Sequence, residues 1–302
     1  MTTIYCARWA LPVASSVMEN AAVAVDGARI VGVGVRDEIV KRFPHYNVQD
    51  FGQAAIVPGL INAHSHLELT AMRGFLEQEE TNFFQWLRKL TFARAERMTA
   101  DDLYASAAWG AIEAARAGVT CLGDASDAAQ ASMKAVCDVG LRAIVYKEVF
   151  GPDETHASEQ FAKLRERVSI LREMETPLVR VGVSPHATYS VSRKLIELVT
   201  EYALDESLPV MMHAAESAHE AALMSEGTGL FAESLKQRGI AWDAPGVSTI
   251  RYLARTGALR TKPLLAHCIT VDDADIELLQ LSEARVAHCP KSNLKLFHGR
   301  AP

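Results

Sequence analysis

The stretch that most constrains this chain runs from Ala54 to Glu68, AAIVPGLINAHSHLE, where an apolar run ends in two histidines one residue apart. In an extended strand alternate side chains point the same way, so His64 and His66 project from one side of a strand end and can grip one metal ion. Alone, the pattern is weak, because paired histidines more often serve a surface or a loop. Its weight comes from repetition. Of ten histidines, six (His64, His66, His186, His213, His267 and His288) each sit at the carboxyl end of a short apolar, β-prone run. Scattered core histidines would not recur at that position.

From Ala54 onward strands alternate with helices. VTCLGDA ends near Asp124, and LRAIVYKEVF ends at Glu148 and Gly151. LVRVGVSPHATYS ends in His186, and PVMMHAAE and PLLAHCI follow. The last strand, ARVAHCPKSN, carries His288 and Asn293 at its end. Helices are expected around FFQWLRKLTFARAERM, from Asp101 to Ala117, from Ala157 to Met174 and from Asp272 to Leu281, with a looser segment from Gly227 to Gly246. Thr99 and Asp102 form a capping-box pattern. Leu195, Leu198, Val199 and Tyr202 mark a packed helix face.

Such alternation, with polar strand ends at one pole, describes a TIM-type (β/α) barrel whose site lies at the carboxyl ends of the strands. An open doubly wound sheet fits less well, because no Gly-rich loop follows the first strand. Residues 1–53 read as a small β-domain, with Asp26-Gly27 as a hairpin turn, and residues 54–302 as the barrel domain.

With 302 residues, 49% of them hydrophobic, the chain can bury a large core. The formal net charge is -6 and no basic run occurs, which argues against nucleic acid as a partner. No window approaches the roughly 20 apolar residues of a membrane span, so a cytoplasmic protein is expected. The five cysteines lack a paired spacing and read as reduced, mostly buried residues; Cys268 and Cys289 each follow a strand-end histidine.

HAAE, His213 to Glu216, adds chemistry to these strand ends. A metal ligand followed three residues later by a carboxylate places a general acid/base within a helical turn of an ion. The bland alternative is a core histidine and a helix-start glutamate. His267 suits either a ligand or a group that polarises water from beside the ion, and His186 sits where a substrate contact belongs. Glu148 either functions or caps a helix. His288 and Asn293 shape the site or merely end a strand. His45, His156, His219 and His298 read as surface residues.

PGLINAHSHLE, SPHATYS, HAAES, LLAHC and HCPKSNLKL, in this order, resemble the amidohydrolase superfamily, in its branch of purine-type deaminases and atrazine-type chlorohydrolases. The resemblance runs from about Ala54 to Leu296. It implies a distorted (β/α)8 barrel with a small β-sandwich portion, one divalent metal ion (zinc, with iron as the alternative) and a small-molecule substrate. His64, His66 and His213 would be metal ligands, Glu216 and His267 catalytic, and His186, Glu148 and Asn293 substrate-binding. The implied reaction is hydroxide attack on the amino-bearing ring carbon of an aminopurine nucleoside of the aminodeoxyfutalosine or S-adenosylhomocysteine/methylthioadenosine type, releasing ammonia. A chlorohydrolase or another amidohydrolase is the alternative. A homodimer is the family expectation. The family's eighth strand, ending in an aspartate, is not found after ARVAHCPKSN. A seven-stranded barrel lacking its last strand is therefore expected, and a truncated, non-catalytic remnant is the reading from another class.

Overall fold

The computed structural model describes residues 2–79 and 81–302, which form two compact units, one ending at Leu60 and one running from Ile61 to Pro302. In the first, β1 (Thr2–Ala10), β2 (Met18–Asp26), β3 (Arg29–Val35) and β4 (Asn47–Asp50) lie in the order β3-β2-β1-β4, with β5 (Ala55–Ile56) also paired to β1. Asp26 pairs with Arg29 across a tight turn in which Gly27 has φ +58°, a conformation glycine adopts without a Cβ penalty. The helix Arg36–Arg42 was not foreseen. Its seven residues are too few to show periodicity, yet Ile39 is buried against Ile4, Cys6, Ala22 and Ala24.

The second unit is mixed α/β. Its strands are β6 (Leu60–Ser65, which starts at the division), β7 (Val119–Ser126), β8 (Arg142–Val149), β9 (Val179–Pro185), β10 (Met211–Ala214), β11 (Leu264–His267) and β12 (Arg285–Ala287). They form two sheets in sequence order, β6-β7-β8-β9 and β10-β11-β12. The pairs β7–β8, β8–β9, β10–β11 and β11–β12 are parallel. Isolated parallel bridges, Val183 to Val210 and Ala187 to His213, join the end of β9 to the start and middle of the next strand segment. β9 and β10 are buried along almost their whole length, as strands covered on both faces must be, which is why VRVGVSP and MMHA read as continuous apolar runs.

Helices fill the connections. The helix Ala100–Arg116 starts at a capping box made by Thr99 and Asp102, and Arg193–Asp205 buries Leu195, Ile196, Val199, Thr200 and Ala203. Leu198 and Tyr202 pack at the edge of that face. Two expectations need correction. The segment from Gly227 to Gly246 contains the helix Gly229–Gln237, whose Phe231 and Leu235 pack with Phe83, Tyr189, Leu223 and Leu296. The last strand stops at Ala287, and Pro290 opens the helix Pro290–Lys295, the position where a missing N–H costs nothing, so Asn293 is buried on a helix instead of ending a strand. Among the described residues no helix is long and apolar enough to cross a membrane.

Close backbone approach fixes β7 beside β6. A Cβ on Gly123 would lie 2.3 Å from the Ala63 carbonyl oxygen and 3.2 Å from the Met211 methyl. Backbone cannot yield as a side-chain tip can. Gly123→Ala is expected to destabilise the chain by about 1–3 kcal/mol in urea unfolding, the usual cost of overpacking, and an unchanged midpoint would contradict this packing.

Candidate active site

Five strand ends, those of β6, β8, β9, β10 and β11, deliver the site. His64 lies on β6 and His66 immediately follows it, with ring centroids 4.9 Å apart and edge-to-face. The turn after His66 is held by Asp124 on β7, whose Oδ1 accepts from Leu67 N at 2.8 Å and from Ser65 Oγ at 3.0 Å. His213 lies on β10, 4.8 Å from His64 and 5.2 Å from His66 between centroids. One nitrogen from each of the three rings falls within 4.8 Å of the others.

The donor set fits a cation. Burial pushes His66 down to about 4 and holds His64 and His213 well below their ordinary value, so all three rings are uncharged at neutral pH. A neutral imidazole has one N–H. His213 directs Nδ1 at the His186 carbonyl, 3.2 Å away, which leaves a lone pair on Nε2. That nitrogen faces Nε2 of His66 at 3.1 Å, while the ring of His66 also hydrogen-bonds the Ala125 backbone. Converging lone pairs are what a divalent cation resolves. Two further groups overlap this one, His64 with His267 and Cys289, and Glu148 with His186 and His213.

Around the three rings lie the other residues singled out by sequence. His267, the last residue of β11, directs Nδ1 at Asn293 Oδ1 (2.8 Å), which turns Nε2 toward Glu216 Oε1 at 3.4 Å. Glu216 is buried two residues beyond β10, and burial pushes its carboxyl up to about 8. His186, just past β9, pairs Nδ1 with Ser190 Oγ at 2.7 Å and stands 4.6 Å from His213 and 4.7 Å from Phe150 between centroids. Its Nε2 is 4.0 Å from Glu148 Oε1, a buried oxygen with no hydrogen-bond partner. Burial, and then the nearby Glu68 charge, push Glu148 up to about 8.

These groups line one cavity of about 1770 Å³, together with Phe83, Trp86, Tyr189 and Phe231. Tyr189 and Phe231 stack with centroids 4.1 Å apart. His288 is exposed and Cys289 half-buried, both on the cavity wall, whereas Cys268 is buried in the main core. His45 and His156 are exposed. His298 corrects the surface expectation: its side chain is 5% exposed, with Nε2 3.7 Å from Glu216 Oε1 and its ring edge-on to Phe83. His219 is half-buried.

Sequence reasoning missed an ionic cluster that reaches the cavity wall through Arg94. Glu68 accepts from Ser126 Oγ, from Ala128 N at 2.7 Å and from Arg94 at 3.3 Å. Arg94 also reaches Asp127 at 3.1 Å, and Lys147 reaches Asp127 at 2.6 Å. Glu68 directly follows the HSHL run, so its position was the available signal; Arg94, on a helix 26 residues later, carried none.

The raised Glu148 carboxyl has a pH consequence. Folded, it keeps its proton up to about pH 8, whereas unfolded it loses it near 4.5, so in between the folded state binds more protons and stability falls as pH rises. The depressed histidines act oppositely below 6.5, and the contributions of Glu216 and Asp124, also pushed up by burial, fall in step with that of Glu148 above it, so Glu148 is read from the difference between variant and wild type over pH 6.5 to 8. With chelator present, the unfolding free energy is expected to drop across this window, and Glu148→Gln to shrink the drop by roughly 1–2 kcal/mol. An unaltered drop in that variant would contradict the assignment.

Residues 55–302 match the amidohydrolase family model. The chain is 30% identical over 290 residues to a 5-methylthioadenosine/S-adenosylhomocysteine deaminase of Nitratidesulfovibrio vulgaris, covering 96% of this chain and 61% of that protein. It is 30% identical over 286 residues to the aminodeoxyfutalosine deaminase of Deinococcus radiodurans, covering 92% and 66%. Among solved structures, an adenosine deaminase from Xanthomonas campestris with bound zinc superposes with a TM-score of 0.79 at 25% identity, covering 99% of this chain and 65% of that one. The chain thus spans about three-fifths to two-thirds of the length of these relatives. By the match that covers its whole second unit, it belongs to the amidohydrolase family.

Proposed function

We propose that this chain carries the metal site and the acid/base groups of a hydrolytic deaminase acting on an aminopurine nucleoside of the methylthioadenosine, S-adenosylhomocysteine or aminodeoxyfutalosine type. One observation carries the reading: three uncharged histidines converge beside a buried glutamate in a cavity walled by aromatic rings. The names of the relatives support the substrate class. The sequential order of the strands within both sheets, and the delivery of site residues from their carboxyl ends, support a distorted (β/α) barrel over residues 54–302, with residues 1–53 a small β-domain.

His64, His66 and His213 would hold one divalent ion, zinc by analogy with the Xanthomonas campestris structure. Such an ion lowers the pKa of water enough to supply a nucleophile at neutral pH. Glu216, protonated up to about pH 8 in the ion-free site, is placed to give a proton to the ring nitrogen beside the amino-bearing carbon. His267, its tautomer set by Asn293, lies within reach of Glu216 and orients the same reacting edge. His186 and Glu148 face the cavity as hydrogen-bonding groups for the rest of the substrate. Phe83, Trp86, Tyr189 and Phe231 supply apolar walls that exclude water.

Ammonia release by the zinc-loaded chain tests this reading against methylthioadenosine, S-adenosylhomocysteine, aminodeoxyfutalosine, adenosine and guanine. Turnover of an adenosine derivative is expected, with Glu216→Gln lowering kcat by about 10²–10⁴-fold while metal is retained. A zinc-loaded chain that releases ammonia from none of them would contradict the reading, and chloride release from a triazine would replace it with the chlorohydrolase alternative.

A further inference from the structure

The turn that presents Glu216 is an unfavourable one. Ala215 has φ +52°, the left-handed region that a residue with a Cβ disfavours. Something must hold it. On one side the Ala215 carbonyl accepts from Ile269 N at 2.8 Å and Thr270 N at 2.9 Å, both just beyond β11. On the other side the Glu216 amide donates to Glu220 Oε2 at 2.8 Å.

Glu220 is 0% exposed, on the helix Ala218–Glu226, and its contacts reach well beyond its own turn. Its Oε1 accepts from Thr188 Oγ1 at 2.8 Å, in the loop after β9, and from Thr249 Oγ1 at 3.1 Å, at the start of the helix Thr249–Arg255. Both hydroxyls are buried. Its own amide is capped by Ser217 Oγ at 3.2 Å. A carboxyl group so enclosed is costly unless its acceptor sites are filled, and here three neutral donors from three separate segments fill them. Among the described residues no cation pairs with it, so an ion-pair role does not explain it.

We infer that Glu220 is the positioning residue for Glu216: by taking the Glu216 amide on one oxygen and two hydroxyls from flanking segments on the other, it locks the left-handed turn that aims the Glu216 carboxyl into the cavity. The inference rests on the proposed role of Glu216. It requires an acceptor at this position, not a charge. A glutamine satisfies it, with the amide oxygen toward Glu216 N–H and the amide NH₂ toward the rotatable threonine hydroxyls. A methionine has nearly the same shape and no such acceptor.

Two readouts separate the inference from the reaction it serves. Hydrogen exchange of the Glu216 amide in the full chain needs no turnover: protection is expected to persist in Glu220→Gln and to fall at least tenfold in Glu220→Met relative to neighbouring helix amides. In the zinc-loaded enzyme Glu220→Met is expected to lower kcat by about 10²-fold with KM and bound zinc little changed, and Glu220→Gln to restore most of kcat. Should Glu220→Met fail to fold, the Thr188→Val/Thr249→Val pair keeps the glutamate but frees its second oxygen, and a kcat loss of several-fold with unchanged KM is expected. Retained amide protection and kcat in whichever variant folds would overturn the inference, as would equal losses in Glu220→Gln and Glu220→Met. An inactive wild-type chain would sink the proposed function instead, leaving the exchange measurement to decide the clamp.

Discussion

The rest of the site depends on one contact: two uncharged imidazoles, His66 and His213, meeting nitrogen to nitrogen at 3.1 Å, with His64 completing the set. Each ring is forced neutral by burial, and Nδ1 of His213 is committed to the His186 carbonyl. Lone pairs pressed together in a low-dielectric interior are unfavourable unless a cation stands among them. The arrangement is therefore intelligible as a ligand set and hard to explain as core packing.

The same low dielectric decides the state of the acids. Glu148 and Glu216, both pushed up to about 8, are carboxylic acids at neutral pH in the absence of an ion, and a bound cation nearby would favour their charged forms. On the proposed reading, the acid and base roles of these carboxyls are linked to metal occupancy. Neighbouring groups hold these side chains in place: Asp124 pins the turn after His66, Asn293 pins His267, and Glu220 pins the turn before Glu216.

How much of this was legible in the sequence follows from what is local. Alternating strand and helix units, the Thr99–Asp102 cap and the histidines at strand ends are patterns within a few residues, and the chain displays them. The helix Gly229–Gln237 hid because nine residues, opening on a glycine, make only about two and a half turns. Asn293 was misplaced because the apolar run ARVA was read through Pro290, a residue that more readily starts a helix than continues a strand. Glu220 drew no notice since its partners Thr188 and Thr249 lie 32 and 29 residues away. His298 looked like a surface residue because only the folded chain brings it to Phe83 and Glu216.

Metal stoichiometry tests the central claim most directly. Elemental analysis of the purified chain, before and after dialysis against zinc and then against buffer, is expected to find one divalent ion per chain, and none retained by the His66→Ala and His213→Ala variants. A wild-type chain that folds but retains no ion after zinc loading, or variants that keep it, would contradict the account of the three histidines as a ligand set.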